Sequence, residues 1–206
     1  MVLDLGAAPS PAAPSGLRER KKRQAREAIV DAALERFARD GFEATRVADI
    51  AADAGVSPAT VARYFPSKEA LLFPDRDARI AQVHAAILAR PPEESPWQAI
   101  VAAFTGAHDL LSPVDRRRLL LSRRAIARSS VLRGRAGGLL DEWRTMVADA
   151  LVERDALPPE AAHVVATVFV AVVDDGTARW AAGDGREELT SVLARALATV
   201  DPRRFA

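Results

Sequence analysis

The chain of 206 residues has no cysteine, one tyrosine and three tryptophans. Without cysteine it can form no disulfide, no thiolate nucleophile and no cysteine-based metal site. It also has no uninterrupted run of eighteen apolar residues, which predicts that no segment spans a membrane. The first residues lack a basic segment ahead of a long apolar one, so we expect no secretory signal and a cytoplasmic location.

The chain has almost no excess of charge of either sign. It contains 29 Lys and Arg and 28 Asp and Glu, for a net charge of +1. Evidence for a nucleic-acid partner must therefore be local. Residues 17–26, LRERKKRQAR, carry six basic side chains and one acidic one. This stretch is either the solvated start of a helix or, beside a DNA-reading motif, a basic arm for phosphates or the minor groove. The preceding residues 1–16 are rich in Pro, Ser and Ala and are predicted to be disordered.

Apolar residues at helical spacing dominate the rest of the chain, and 49% of all residues are hydrophobic. The valine-rich run VVATVFVAVV could pass for a buried strand, but its alanine content and the length of the apolar segment favour a helix. We therefore expect an all-α fold of nine or ten helices, with a break at Pro74 and two domains, at 17–66 and 67–206. The predicted helical segments, apart from the motif described next, are 22–40, 67–89, 97–111, 115–127, 131–155, 159–182 and 187–200.

The stretch ADIAADAGVSPATVARYF, residues 48–65, contains two short helical patterns joined by Gly-Val-Ser. Ala51 is small where a second helix would cross, and Gly55 permits the left-handed backbone of a tight turn. Ser57 is a favourable N-cap and Pro58 suits the first helical position. These features are typical of a helix-turn-helix whose second helix enters the major groove, and an ordinary helical hairpin is the alternative.

Residues 41–72, GFEATRVADIAADAGVSPATVARYFPSKEALL, resemble the N-terminal DNA-binding domain of the TetR (tetracycline repressor-like) regulators. The resemblance implies a homodimer whose three N-terminal helices bind a double-stranded DNA operator. It also implies a larger C-terminal helical domain that binds a small molecule and dimerises. Most members are repressors that the ligand releases from DNA. The resemblance implies neither an enzyme nor a cofactor.

The resemblance also implies the residues that meet DNA. Residues 57–64 would form the recognition helix, with Thr60 and Arg63 as its polar side chains and with Tyr64 and Lys68 beside phosphates. The chain departs from the family at Ala62, where an aromatic residue is usual, and at Arg46, where threonine is usual. The predicted DNA-binding residues are Thr45, Arg46, Ser57, Pro58, Ala59, Thr60, Arg63, Tyr64 and Lys68.

The C-terminal part, residues 129–197, resembles the corresponding domain of regulators of the mycofactocin type, for which acyl-CoA-like ligands are implied. Its matching features include Trp143, Trp180 and a final leucine-rich helix. Aromatic residues here would line a pocket or simply pack in the core. The region from 80 to 180 has few fixed charges among its apolar side chains, which predicts a mostly apolar cavity for a hydrophobic effector. The predicted ligand-binding residues are Trp97, Phe104, His108, Trp143, Met146, Phe169 and Trp180.

Two groups of charged residues in the C-terminal part each have two possible roles. Asp174 and Asp175 interrupt an apolar helix, with Arg179 four residues after Asp175. They form either a local ion pair at a dimer seam, which we favour, or a carboxylate inside the pocket. The arginines at 116–118 and 123–124 form either a solvated face, which we favour, or a site for an anionic ligand. The three histidines are too scattered for a metal site, and none is expected.

The last two helical segments have wide apolar faces that one chain is not expected to cover, so we predict a two-fold dimer built as a four-helix bundle. These faces carry Val164, Val165, Val168, Val172, Leu189, Val192, Leu193 and Leu197. A second class of function stays open, in which a helical ligand-binding protein or enzyme carries an incidental helix-turn-helix. The sequence offers that class no nucleophile with a base, no metal cluster and no cofactor loop.

Overall fold

The computed structural model describes residues 16–74, 76–109 and 112–200. Within these ranges the chain forms nine α-helices, one turn of 3₁₀-helix and no strand, which confirms the all-α prediction. The helices are α1 (Leu17–Asp40), α2 (Val47–Asp53), α3 (Pro58–Tyr64), the 3₁₀ turn (Glu69–Leu71), α4 (Arg76–Leu88), α5 (Pro96–Asp109), α6 (Pro113–Arg128), α7 (Ser130–Asp155), α8 (Pro159–Ala182) and α9 (Leu189–Ala198).

The described helix boundaries lie within two residues of the predicted ones, except at the start of α1 and around Pro74. Helix α1 begins at Leu17 rather than at residue 22, because the basic stretch is itself helical. The predicted segment 67–89 is interrupted at Pro74, as expected, because this proline follows the 3₁₀ turn and precedes α4. The valine-rich run lies within α8 and is helical, as its length indicated. The predicted disordered tail, except Gly16, lies outside the described residues.

The N-terminal core forms where α1 packs against the two short helices α2 and α3. Ala51 is completely buried at this contact, as its small size predicted. The same core includes Leu71 and Leu72, which lie beyond the domain boundary that we expected at residue 66. It also includes Ala125 of α6 and Leu132 of α7. The N-terminal domain is therefore closed by side chains of the C-terminal helices rather than joined to them by a free linker.

The C-terminal core is built by α4, α5, α7, α8 and α9 around an aromatic cluster. The ring of Phe169 meets the rings of Trp97 and Phe104 edge-on, with centroids 6.0 and 5.3 Å apart. Helix α9 buries Leu189, Leu193 and Leu197 in this core. The expectation that one chain could not cover these leucines is therefore wrong, because α5 and α8 already pack over them.

Helix α8 is the one described helix that is long and apolar enough to cross a membrane by length and composition. The core helix of a soluble protein passes the same test, so this finding is weak evidence for a span. Here eight residues of α8 are buried, and the helix packs against α7 and α9.

Replacing Leu193 by alanine should lower the free energy of unfolding by about 2–5 kcal/mol, because the side chain is completely buried and leaves a cavity. Leu17→Ala is the control, since Leu17 is 61% exposed, and it should change stability by less than about 0.5 kcal/mol. Denaturant unfolding at one fixed protein concentration measures both. Equal effects of the two substitutions would contradict the described packing of α9.

Candidate nucleic-acid interface and ligand cavity

The turn between α2 and α3 is built by the residues that the sequence pattern singled out. Gly55 has a φ of +66°, the left-handed conformation that glycine adopts without strain. The Val56 amide donates a hydrogen bond to the Ala51 carbonyl at 2.9 Å, which closes the turn. Ser57 then caps α3, since its hydroxyl oxygen accepts from the Thr60 amide at 3.2 Å. Pro58 occupies the first helical position, so α3 begins abruptly and in a fixed direction.

Helix α3 buries one side and presents the other to solvent. Val61 and the following Phe65 are 2% and 5% exposed and hold the helix on the core. Arg63 lies on the exposed face, with its guanidinium carbon 5.1 Å from the centroid of the Tyr64 ring. The Thr60 hydroxyl lies 2.9 Å from the Ser57 hydroxyl. The other exposed positions of this surface are Ser57, Pro58, Ala59 and Ala62.

Lys68 fixes the loop between α1 and α2. Its ammonium donates hydrogen bonds to the carbonyls of Phe42 and Thr45, at 2.6 and 3.0 Å, and lies 4.2 Å from the centroid of the Phe42 ring. The two carbonyls thus occupy two of the three donors of the ammonium. Lys68 therefore joins the segment after α3 to the segment before α2, a contact that the family resemblance alone does not reveal.

Thr45 and Arg46 are adjacent in the sequence but have opposite placements. Thr45 is 3% exposed, and its hydroxyl donates to the Gly41 carbonyl at 2.7 Å. Its hydroxyl is thus occupied inside the domain. Arg46 is exposed in an extended conformation and precedes α2 without a side-chain cap. Of these two predicted DNA-binding residues, only Arg46 presents its side chain to solvent.

The basic stretch forms the first turns of α1. The side chains of Arg20, Lys21, Lys22 and Arg23 are exposed there, and no side chain caps the helix. Cations near a helix N-terminus oppose the helix dipole. This local charge arrangement is unfavourable for the isolated helix and becomes favourable beside a polyanion such as DNA.

A cavity of about 370 Å³ lies between the N-terminal domain and helices α4 to α8. Its apolar wall is formed by Phe104, Trp143 and Phe169, and the Phe104 and Trp143 rings meet edge-on at 6.3 Å. Leu34 of α1 and residues 72–74 line the side that adjoins the N-terminal domain. The cavity has the size and mostly apolar wall of a site for a small organic ligand.

The predicted ligand-binding residues divide into two groups. Phe104, Trp143 and Phe169 line the cavity. Trp97, Met146 and Trp180 are buried but are not part of its wall. The Trp180 indole donates to the Glu187 carbonyl at 2.9 Å, so this residue anchors the turn before α9. The side chain of His108 lies outside the described residues.

Sequence reasoning favoured a solvated face over an anion site for the arginines of α6 and did not consider those of α4. The expectation of few fixed charges is wrong, because both helices contribute arginines to the cavity wall. Arg118 pairs with Asp31 of α1, with contacts of 2.7 and 3.1 Å, and Arg123 pairs with Asp174 of α8. The hydrogen bonds that the Arg118 guanidinium donates to Asp31 raise its pKa. The charged lining residues are Arg76, Arg79, Asp115, Arg118, Arg123 and Asp174.

The two adjacent aspartates of α8 have different roles. Asp175 forms an exposed ion pair with Arg179 at 2.5 Å, one helical turn away. Asp174 lines the cavity and is bound by Arg123 from α6. Asp174 thus lies in the pocket, and Asp175 forms the local ion pair. Among the described residues, no group of three or more His, Asp or Glu is arranged to hold a metal ion.

The contact between α1 and α6 joins the cavity to the helix-turn-helix. Besides Arg118 and Asp31, Arg117 of α6 pairs with Glu35 of α1 at 2.9 Å. The Ser129 hydroxyl, at the end of α6, donates to Glu43 and lowers the pKa of that carboxyl. Side chains of α6 and of its C-terminal cap thus bind the N-terminal domain at several points, including the Arg128 hydrogen bonds to the carbonyls of Ala38 and Arg39.

Comparisons with known proteins give matches in both halves of the chain. Residues 29–73 match the family of bacterial regulatory proteins of the tetR type, and residues 94–204 match the MftR C-terminal domain. TcmR, an HTH-type transcriptional regulator of Streptomyces glaucescens, is 40% identical over 89 residues, which cover 43% of this chain and 39% of TcmR. RutR of Escherichia coli K12, also an HTH-type transcriptional regulator, is 47% identical over 57 residues, which cover 28% of this chain and 27% of RutR. The chain thus spans well under half the length of these relatives.

Solved structures share the whole fold at low sequence identity. Native NalD, the secondary repressor of the MexAB-OprM multidrug efflux pump in Pseudomonas aeruginosa, aligns with a TM-score of 0.63 and 19% identity, covering 86% of this chain and 95% of NalD. FadR of Bacillus subtilis, solved in complex with stearoyl-CoA, aligns with a TM-score of 0.56 and 22% identity, covering 83% of this chain and 95% of FadR. The fold is therefore shared, and one of the two domain matches spans more than half of the chain. The chain belongs to the tetR family of bacterial regulatory proteins, with a C-terminal domain of the MftR type.

Proposed function

We propose that this protein is a transcriptional repressor of the cytoplasm that binds a palindromic DNA operator as a homodimer and is released by a hydrophobic small molecule. The observation that carries the proposal is a capped helix α3 with an exposed arginine, held on a domain whose core is closed by the helices of a ligand-sized cavity. The family and its named relatives, which are transcriptional regulators, support the same function.

In this proposal the exposed face of α3 enters the major groove. Arg63 reaches base edges, because its side chain is exposed and long enough to read a guanine. Thr60 is a second polar side chain toward the bases. Lys68, the Tyr64 hydroxyl and Arg46 face the phosphates, and the basic start of α1 adds charge to the same surface. Ser57, Pro58 and Ala59 allow close approach of the helix start. Thr45 acts inside the domain, by holding the loop that Lys68 also binds.

The proposed dimer uses α8 and α9, but with a narrower surface than the sequence suggested. On α8, Val164 is 50% exposed, Val168 is half-buried, and Ala171 and Ala178 are exposed two turns apart along the same side. Val192 is half-buried on α9. Small and branched apolar side chains on two adjacent helices suit close packing against an identical copy about a two-fold axis.

The proposed effector has a long apolar part, of the acyl-CoA-like class. The aromatic wall of the cavity supports an apolar chain, and the match to the MftR C-terminal domain and the shared fold with an acyl-CoA-bound FadR are consistent with it. The effector lies beside Leu34 and residues 72–74. A bound effector therefore contacts the residues through which the N-terminal domain packs on the C-terminal helices. This position gives the ligand a route to weaken operator binding.

Arg63→Ala and Lys68→Met should weaken operator binding in different ways. Arg63→Ala should cost roughly 1–3 kcal/mol per half-site and relax the preference at one base position. Lys68→Met should weaken all sequences alike and reduce the salt slope by about 1 per lost phosphate contact. It should also lower the melting temperature, because the carbonyls of Phe42 and Thr45 lose their donor. Binding-site selection over a salt series, with thermal melts, measures all three effects.

An asymmetric selected site would contradict the two-fold docking. So would a change of base preference with Lys68→Met and none with Arg63→Ala.

Val164→Glu should convert the dimer to monomer, because it places a charge on the proposed apolar contact. Val114→Glu is the matched control, since Val114 on α6 is 51% exposed and lies outside the proposed interface. Sedimentation at micromolar concentration should give a dimer for the wild type and the control. A monomeric wild type, or a dimer that both substitutions leave intact, would exclude this interface.

Val173→Phe should weaken effector binding, because Val173 lines the cavity and a larger ring fills it. Val172→Phe is the control, since Val172 is the half-buried neighbour outside the cavity wall. Thermal shifts with straight-chain acyl compounds, sugars and amino acids measure the effect, and only the acyl compounds should stabilise the wild type. If only small hydrophilic molecules stabilise it, the effector class is wrong.

A further inference from the structure

Arg118 belongs to two structural features at once. Its side chain is 19% exposed and lines the 370 Å³ cavity. The same guanidinium donates two hydrogen bonds to Asp31 of α1, at 2.7 and 3.1 Å. It also lines a second cavity of about 260 Å³, together with Arg23, Arg26, Glu27, Val30 and Pro74. Arg118 therefore stands between the ligand cavity and the helix that supports the DNA-binding surface.

The arginines around the main cavity differ in their partners. Four arginines and two aspartates line it, and Arg118 is bound by Asp31. Arg123 is bound by Asp174, and Arg76 is bound by Asp77 and Glu142. Arg79 is half-buried and forms no hydrogen bond or ion pair with any residue in the described part of the chain. A partly buried cation without a partner favours an anion from outside.

The hydroxyl donors of the wall are already committed. The Ser122 hydroxyl donates to the Leu119 carbonyl at 2.9 Å. The Thr177 hydroxyl lies 2.9 Å from the carbonyls of Val173 and Asp174. The guanidinium groups are therefore the strongest donors that the wall offers to a ligand oxygen, and they match carboxylate and phosphate geometry.

We propose that the effector is an amphipathic anion whose carboxylate or phosphate binds Arg79 and Arg118, and that this anion competes with Asp31 for Arg118. The proposal rests on the proposed function and names the chemistry and the coupling residue of the same cavity. The apolar chain lies along the aromatic wall, and the anionic group lies beside α4 and α6. The class covers fatty acids and acyl-CoA thioesters, which differ in the source of the charge.

The effector anion and Asp31 compete because Arg118 carries a single positive charge. The Arg118 guanidinium neutralises Asp31, and its Nη1 also lies 3.9 Å from a carboxylate oxygen of Asp115. A third anion at this guanidinium lies close to Asp31 in a partly desolvated region, where like charges repel strongly. The Asp31 contact to α6 weakens, and α1 loses one of its ion pairs with that helix. Since α1 supports α2 and α3, the recognition helix shifts relative to the dimer.

The first experiment measures recognition of the anion. Titrations compare dodecanoate, dodecanoyl-CoA and dodecan-1-ol, which share one apolar chain. The wild type should bind at least one of the two anions about tenfold more tightly than the alcohol, and Arg118→Gln should reduce that ratio to about threefold or less. Arg79→Gln should reduce it too. Arg117→Gln is the matched control, because Arg117 also pairs with α1 but does not line the cavity, and it should keep the ratio.

The source of the charge follows from the same titrations. Dependence on Arg118 for dodecanoate identifies a carboxylate site, and dependence for dodecanoyl-CoA alone identifies a phosphate site. Equal affinity of all three compounds, or a ratio that Arg118→Gln leaves unchanged, would overturn the proposal.

The second experiment measures coupling, with the operator selected for the wild type. Asp31→Asn should weaken operator binding in the absence of ligand and should strengthen dodecanoate or dodecanoyl-CoA binding, since the competitor is gone. Asp31→Arg combined with Arg118→Asp should restore operator binding and abolish the preference for anions. Circular dichroism verifies that each variant is folded. If Asp31→Asn changes neither affinity, the coupling is refuted.

Different results would contradict the proposed function and the proposed anion site. If no operator is selected, the proposed function fails, whereas the ligand titrations still test the anion site. If an operator is selected and the anions have no advantage over the alcohol, the repressor stands and this inference fails.

Discussion

The packing of α6 against α1 is the constraint on which the rest of the structure depends. Helix α6 is oriented by a capping box, in which Ser112 and Asp115 bind each other's backbone amides at its start. Its apolar side contributes Ala125 to the N-terminal core, and its arginines bind Asp31 and Glu35 of α1. On its other side, Arg123 binds Asp174 of α8. Any change in the cavity that moves α6 is therefore transmitted to the N-terminal domain through packed side chains.

The recognition helix depends on its surroundings, because seven residues are too few to form a stable helix alone. Ser57 and Pro58 fix where it begins, and Val61 and Phe65 hold it on the core. Lys68 and Thr45 bind the loop before α2 through backbone carbonyls. Exposed Arg63 is thus carried on a rigid support, as the proposed base reading requires. The same support explains why a residue predicted to contact phosphate also stabilises the domain.

Sequence reasoning succeeded where the chemistry is local. The all-α fold, the left-handed Gly55, the cap at Ser57 and the buried Ala51 all follow from spacings of a few residues. It failed where the partner is distant. Asp31 and Arg118 are 87 positions apart, and the arginine run of α6 has no periodic signal that separates it from a solvated face. The tryptophans did not indicate the position of the cavity either, since Trp143 lines it and Trp180 anchors a turn.

The central claim is that the cavity and the DNA-binding surface are two sites of one coupled system. If the effector weakens operator affinity by some factor, thermodynamic linkage requires that the operator weaken effector affinity by the same factor. The most direct measurement is therefore a closed cycle of four titrations, with the selected operator and one bound acyl compound. The account predicts equal factors of about 5–150 on both sides of the cycle. An effector affinity that is the same with and without operator would contradict it.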